Sequence, residues 1–334
     1  MQSAITKEDL DQILMVIGTS WAESTKELYG TGLLVYHVYC DVHNIPDNHR
    51  APVSQNLLSA FLASCAGSQS GSTIANYTAA ICAWHILHGL EWNIDKKECK
   101  AVLHGGSKLA PLSAMQPKRA PFSVEILEKF RLSMDITRPR DAAVFACLTC
   151  AFYCMVRLGE LTVPAINKYD LAKYTSRADF SIITNHQGLL VMKFHFPRTK
   201  PSPNGEDAHC APHDNASLTD PKSALENHFR VNPANPAEHL FTWRHPTKGL
   251  CPLLKKEIIL FIEDIKKCNP DMPDLKGHSL RIGGTLFYLL KGVPFNVVKT
   301  LGRWSSDTFT VYLRHHMLVL APFLQHNTAL FDNL

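Results

Sequence analysis

GHSLRIGGTLFYLLKGVPFNVVKTLGRWSSDTFTVYLR, residues 277–314, sets a histidine and an arginine three apart, His278 and Arg281. Trp304 follows, and then Tyr312, eight residues beyond it. Residues three apart on a helix are neighbours, so His278 and Arg281 share one helical face. Gly292-Val-Pro294 reads as a turn into a new helix, with Pro294 in the first turn, where a missing N–H is harmless. Val297, Val298 and Leu301 give that helix a buried side, and Gly302 reads as its stop. Ser305-Ser306-Asp307 then offers an N-cap for a last helix carrying Tyr312. The stretch predicts three short helices that hold an imidazole, a guanidinium, an indole N–H and a phenol.

Working outward, the chain reads in two parts. Thr6-Lys-Glu-Asp9 resembles a capping box ahead of LDQILMVI. Ser24-Thr25, Ser54 and Ser72-Thr73 precede three further periodic apolar segments, the last ending near Gly89. Four helices with short polar connections predict a small bundle over residues 1–105. Tyr29, Tyr36 and Trp84 read as its core rather than as base-stacking groups. Residues 106–121 carry Pro111, Pro117 and Pro121 with few periodic apolars, and read as a linker. Residues 122–334 form the second domain, entered through Ser123 as N-cap. Asp141 to Ala151 is a buried helix, followed by Arg157-Leu-Gly-Glu160. Phe180-Ser-Ile-Ile-Thr and Leu189–Phe196 read as strands around Asn185-His-Gln-Gly188. Residues 201–236 read as a mobile loop, and Leu253 to Lys266 as an amphipathic helix. The fold class is mainly α with a small β-hairpin in the second domain.

The net charge is +4 over 334 residues, too mild to announce a nucleic-acid binder. Distribution says more: Lys96 to Arg140 holds ten Lys/Arg against four acids. That bias suits a phosphate-facing saddle, with a solvated basic loop as the equal alternative. Lys118 and Arg119 are the candidate phosphate contacts there. The ten cysteines are scattered and no signal peptide opens the chain, so free thiols in a reducing compartment are expected. Cys147, Cys150 and Cys154 share one helical stripe of an apolar run and read as core. That run is too short for a membrane span. His209, Cys210 and His213 have no fourth ligand of suitable spacing, so no metal is expected.

The 277–314 stretch resembles the C-terminal signature of the tyrosine recombinases, phage-integrase-like enzymes that break and rejoin DNA. Its GRWSSD…YLR wording is most similar to Crypton-type recombinases of eukaryotic mobile elements. H-x-x-R alone is uninformative, whereas H-x-x-R followed at this distance by L-G-R-W and then Tyr is specific. Residues 1–105 are more loosely similar to the core-binding domain that such enzymes place before the catalytic domain. Met155-Val-Arg157-Leu-Gly-Glu160 matches the family's first element, with Glu160 as orienting partner.

The resemblance implies a role for each residue. Tyr312 supplies the nucleophile, Arg157 and Arg281 neutralise the phosphate, and His278 donates to a phosphate oxygen or manages the phenol proton. Trp304 gives one hydrogen bond and packs the tyrosine helix. Lys200, in Arg198-Thr-Lys200, protonates the leaving oxygen, with Lys193 as competitor. Eight residues separate Trp304 from Tyr312, where many family members show nine. The implied reaction passes through a 3′-phosphotyrosyl intermediate and needs no cofactor, ATP or metal. Implied partners are double-stranded DNA and further copies of the chain, a dimer on a site and a tetramer in the synapse. The implied location is the nucleus of a eukaryote, otherwise cytoplasm or nucleoid. A domesticated DNA-binding protein and a type IB topoisomerase are the rival readings. Residues beyond Tyr312, from Leu318 to Phe331, form an apolar tail that docks on a neighbouring protomer or folds back.

Overall fold

The computed structural model describes residues 6–114, 117, 119–200, 202–213 and 217–312. Lys118, the tail from Leu318 to Phe331 and the side chain of Tyr312 lie outside the described residues. The chain divides into two compact units, Met1–Pro117 and Lys118–Leu334. Among the described residues, no helix is long and apolar enough to cross a membrane.

The first unit is helical: α1 Lys7–Thr19, α2 Glu23–Val42, α3 Asp47–Arg50, α4 Gln55–Cys65, α5 Gly71–Leu87 and α6 Lys96–Lys108. Its starts follow from short polar side chains. The Thr6 hydroxyl accepts the Asp9 N–H at 3.1 Å while the Asp9 carboxylate accepts the Thr6 N–H at 2.9 Å. Ser54 caps α4 in the same way, and Ser70, rather than Ser72, caps α5. Tyr36, Phe61, Leu62, Ile74 and Ile81 form the core. Tyr36 is fully buried and donates to the Arg50 carbonyl at 2.8 Å, so it is core, as its helical spacing predicts.

The linker does not begin at residue 106, because α6 runs on through Gly105-Gly106 to Lys108. The physical reason is packing: a Cβ on Gly106 would stand 3.0 Å from Ile74 Cδ1. Gly106 admits a neighbouring helix instead of ending this one, and Gly105 faces open space.

The second unit is mixed. Its helices are α7 Val124–Leu132, α8 Pro139–Tyr153, α9 Pro221–Val231, α10 Lys255–Cys268, α11 Gly277–Leu290 and α12 Phe295–Leu301. Strands β1 Phe180–Thr184, β2 Leu190–Phe196 and β3 Glu206–Cys210 form an antiparallel sheet in that order. Phe180 pairs with Phe194, and Met192 with Cys210. Strands β4 Trp243–His245 and β5 Gly249–Cys251 make a separate hairpin. Ser123 caps α7, accepting the Ile126 N–H at 3.3 Å. Helix α8 is buried along nearly its whole length, and Cys147, Cys150 and Cys154 are core thiols. The fold class is thus mainly α with a small antiparallel sheet.

Residues 201–236 are not a loop throughout, since they hold β3 and α9. Asp220 caps α9 with Pro221 in its first turn, and Ala224, Leu225 and His228 face the core at helical spacing. In β3 only Ala208 and Cys210 are buried, so its polar residues conceal the alternation. Nor does an α-helix run up to Tyr312: Asp307–Tyr312 winds as a 3-10 turn.

Helix α11 packs closely through two glycines, Gly283 against the segment before α7 and Gly284 against α8. A Cβ on Gly283 would overlap the Phe122 carbonyl, and one on Gly284 the Phe152 carbonyl. Both obstacles are backbone, which cannot rotate aside. Gly284→Ala is therefore expected to destabilise the second unit by about 1–3 kcal/mol or more. Urea unfolding checks this, and a wild-type midpoint would mean that α11 does not approach α8 so closely.

Candidate active site

Two helix ends and one guanidinium build the centre. Helix α8 stops at Cys154 and α12 at Gly302. Each is followed by a left-handed residue that is not glycine, Met155 at φ 49° and Arg303 at φ 57°. The N–H of Val156 reaches back to the Ala151 carbonyl at 3.2 Å, and that of Trp304 to the Lys299 carbonyl at 3.1 Å. These bonds close each helix as a Schellman end. Non-glycine residues in this region carry strain on the order of 1–3 kcal/mol each.

Arg281 joins the two ends. It is fully buried, and its Nη1 and Nη2 donate to the Met155 carbonyl at 2.8 Å and the Gly302 carbonyl at 2.6 Å. Carbonyls at helix C-termini carry partial negative charge, which compensates a buried cation. The planar fork expected to face a phosphate is here turned onto two carbonyls. The guanidinium also lies 4.3 Å from the Trp304 ring centroid, and that ring stacks on Phe309 at 5.0 Å. Gly302 is needed for this packing and not for its backbone angle: a Cβ there would fall inside the indole.

Arg157 sits two residues past Met155, at the N-cap of the 3-10 turn Leu158–Glu160. Its side chain is 41% exposed. Glu160, 8% exposed, accepts the Arg157 N–H at 3.0 Å and Arg157 Nη1 at 2.9 Å. Burial pushes the Glu160 carboxyl up, but Arg303 and the Arg157 hydrogen bonds outweigh it and hold the group below the usual carboxylate range. Glu160 thus stays ionised and fixes the Arg157 fork in place.

His278 opens the same helix as Arg281, half-buried in the first turn of α11. Burial first, then the charges of Arg119, Arg281 and Arg157, lower its pKa to about 4. The imidazole is neutral at pH 7 and lies in the field of three guanidinium groups. Arg119 is exposed, on a segment tied to α11 by the bond from the Phe122 N–H to the Ser279 carbonyl at 3.0 Å. The structure therefore places Arg119 on a segment bound to α11, close enough for its charge to act on His278, where sequence alone placed it only on a basic linker.

Lys200 is exposed at the tip of the connection between β2 and β3. Thr199 and Ser202 close that tip: the Thr199 N–H donates to the Ser202 carbonyl at 2.9 Å. The Thr199 hydroxyl donates to Glu206 Oε1 at 2.5 Å. The competitor Lys193 lies within β2, its Nζ 2.8 Å from Asp207 Oδ2, while His195 holds the other oxygen at 2.8 Å. Cys210 faces the core, and the His213 ring packs on Tyr153 at 4.3 Å.

Arg303 is the residue that sequence reasoning missed. Its side chain is 9% exposed, between Glu160 Oε2 at 2.6 Å and Glu206 Oε1 at 3.0 Å. Its guanidinium lies 4.9 Å from the Phe196 ring centroid. The signal was present in the spacing: Arg303, not Trp304, stands nine residues before Tyr312.

No protein-family model matches this chain, and no curated protein matches it in sequence. Solved structures do. XerH site-specific recombinase bound to palindromic difH substrate, a post-cleavage complex, superposes with a TM-score of 0.57 at 14% identity. That match covers 96% of this chain and 85% of XerH. A lambda integrase(75-356) dimer bound to a COC′ core site gives 0.55 at 12% identity, covering 91% of this chain and 93% of that one. The likeness is one of fold, and the chain has the tyrosine recombinase fold.

Proposed function

We propose that this chain is a site-specific DNA recombinase that cleaves and rejoins strands through a 3′-phosphotyrosyl intermediate. One observation carries the reading: half-buried His278 opens α11 three residues before Arg281 and lies within the electrostatic field of Arg119, Arg281 and Arg157. The 3-10 turn that ends at Tyr312 packs on the same helix. Convergent cations in a partly buried pocket are what a pentavalent phosphorane requires. The fold shared with the DNA-bound recombinases XerH and lambda integrase supports double-stranded DNA as the partner.

In this reading the Tyr312 phenol gives its proton to the neutral His278 as its oxygen attacks phosphorus, and the bond to the 5′-oxygen breaks. Lys200 gives that oxygen its proton. Arg157, half-exposed and fixed by Glu160, meets a non-bridging oxygen with its planar fork. His278, neutral beforehand, donates a hydrogen bond, and an arriving phosphate anion raises its affinity for a proton. Arg281 contributes its charge from a fully buried position, with its Nη1 and Nη2 on the Met155 and Gly302 carbonyls. The ester conserves the bond energy, and a partner strand's 5′-hydroxyl later attacks it. A dimer on a site and a tetramer in the synapse accompany this reading. The GRWSSD…YLR wording carries the narrower version, a Crypton-type enzyme of a mobile element working in a nucleus.

The buried fork of Arg281 favours a second reading, a DNA-binding protein that keeps the fold without turnover. A nicked suicide substrate separates the two. A recombinase leaves a covalent, protease-sensitive adduct, whereas the binding protein shifts the same DNA without one. A topoisomerase would relax plasmid and yield nothing in a two-site recombination assay.

A further inference from the structure

We infer that Arg303 is a positioning residue that couples the lysine-bearing loop to the arginine-bearing turn, with Glu206 and Glu160 as its two arms. The inference deepens the recombinase reading and rests on it for its consequence in catalysis, while the coupling itself stands on geometry.

The contacts run in one chain. Glu206 Oε1 accepts the Thr199 hydroxyl and also faces Arg303 Nη1 at 3.0 Å. Thr199 directly precedes Lys200, and its side chain also receives the Ser202 N–H at 3.2 Å. Arg303 Nη2 donates to Glu160 Oε2 at 2.6 Å. That same oxygen accepts the Arg157 N–H, and its partner oxygen holds Arg157 Nη1. Beside Arg303, the Gly302 carbonyl is held by Arg281 and Trp304 lies under the same guanidinium. One buried side chain therefore touches the supports of Arg157 and Lys200 and adjoins that of Arg281.

Chemistry explains why an arginine stands there. Two carboxylates from different elements, one on the turn after α8 and one on β3, would repel each other in a partly dry site. A planar cation between them turns that repulsion into attraction, hydrogen-bonded to Glu160 through Nη2 and in charge contact with Glu206 through Nη1. Phe196, at the end of β2, adds a cation–π contact to the guanidinium, 4.9 Å from Cζ to the ring centroid. The left-handed backbone at Arg303 points the same way. Glycine would be at ease at that position and would carry no bridge, so the strain is kept together with the side chain.

The test uses the full chain with Glu206→Gln and Arg303→Met. Glu206→Gln keeps an acceptor for Thr199 and removes only the charge facing Arg303, so it serves if Arg303→Met fails to fold. Amide hydrogen exchange on the free protein reads the coupling directly. Glu206→Gln should speed exchange at Ser202 and Gly205 and leave the 157–160 turn protected, whereas Arg303→Met should speed both segments. Wild-type exchange in both segments for both variants overturns the inference, whatever happens to the melting temperature. The consequence is read on nicked DNA, where Glu206→Gln should slow adduct formation by roughly tenfold, as for a partly misplaced general acid. A substrate with sulfur in place of the bridging 5′-oxygen needs no proton donor and should restore the wild-type rate. An unslowed Glu206→Gln, or one that sulfur does not rescue, defeats the link to Lys200. If the wild type itself forms no adduct, the recombinase reading fails, and the exchange data still decide the coupling.

Discussion

Tyr312→Phe is expected to form no covalent adduct with nicked DNA while binding the same duplex at near wild-type affinity. The substitution removes one oxygen and keeps the ring. If that oxygen is the nucleophile, the loss is on the order of a millionfold, as when a covalent nucleophile is deleted from a preorganised site. Affinity should persist because cations bind the phosphates, and a phenol adds little to counterion release. The salt dependence of binding should match that of the wild type for the same reason. Arg157→Ala provides the contrast: it should weaken cleavage yet still trap adduct on long incubation, since the nucleophile remains. The measurements are denaturing gels for the adduct and a filter or gel-shift titration for affinity. An adduct in the Phe variant would move the nucleophile to another residue and undo the assignment that the 277–314 stretch suggested.

What could be read in the sequence was local. The Thr6–Asp9 box, the Ser54 and Ser123 caps and the shared face of His278 and Arg281 all depend on residues three or four apart. Arg157 with Glu160 belongs to the same class, and the structure places that carboxylate on that guanidinium. The strands around Gly188 follow from alternation and a turn. What could not be read was non-local. Arg281 finds the Met155 carbonyl 126 positions away, and Arg303 finds Glu160 across 143. No periodicity announces such pairs. The fork of Arg281 looks identical in sequence whether it meets a phosphate or two helix ends. Strand β3 was hidden because a sheet edge needs only two inward residues, and EDAHC supplies them as alanine and cysteine. Gly105-Gly106 misled for the opposite reason: a pair that reads as a break lies inside a continuous helix, where Gly106 lets a neighbour approach.

Lys200→Ala should slow strand cleavage by roughly a hundredfold or more, the typical reach of a general acid acting on a poor leaving group. The geometry favours Lys200 over Lys193. Lys193 is anchored in β2, its ammonium 2.8 Å from an Asp207 carboxylate that His195 also holds. Releasing it toward a phosphate would leave that carboxylate with His195 alone. Lys200 is exposed on a turn that the Thr199–Ser202 backbone bond closes. A thiolate leaves without being protonated, so a bridging 5′-sulfur should bring Lys200→Ala close to the wild-type rate. The same substrate should do nothing comparable for Arg157→Ala, whose loss is charge at phosphorus rather than a proton at the leaving atom. Lys193→Ala should cleave both substrates at the wild-type rate. Should sulfur rescue Lys193→Ala and leave Lys200→Ala slow, the proton comes from the strand and not the loop. Should it rescue neither, the donor is a group that already faces the phosphate. His278 is then the residue to replace, because a bound phosphate would offset the arginine charges that, after burial, lower its pKa.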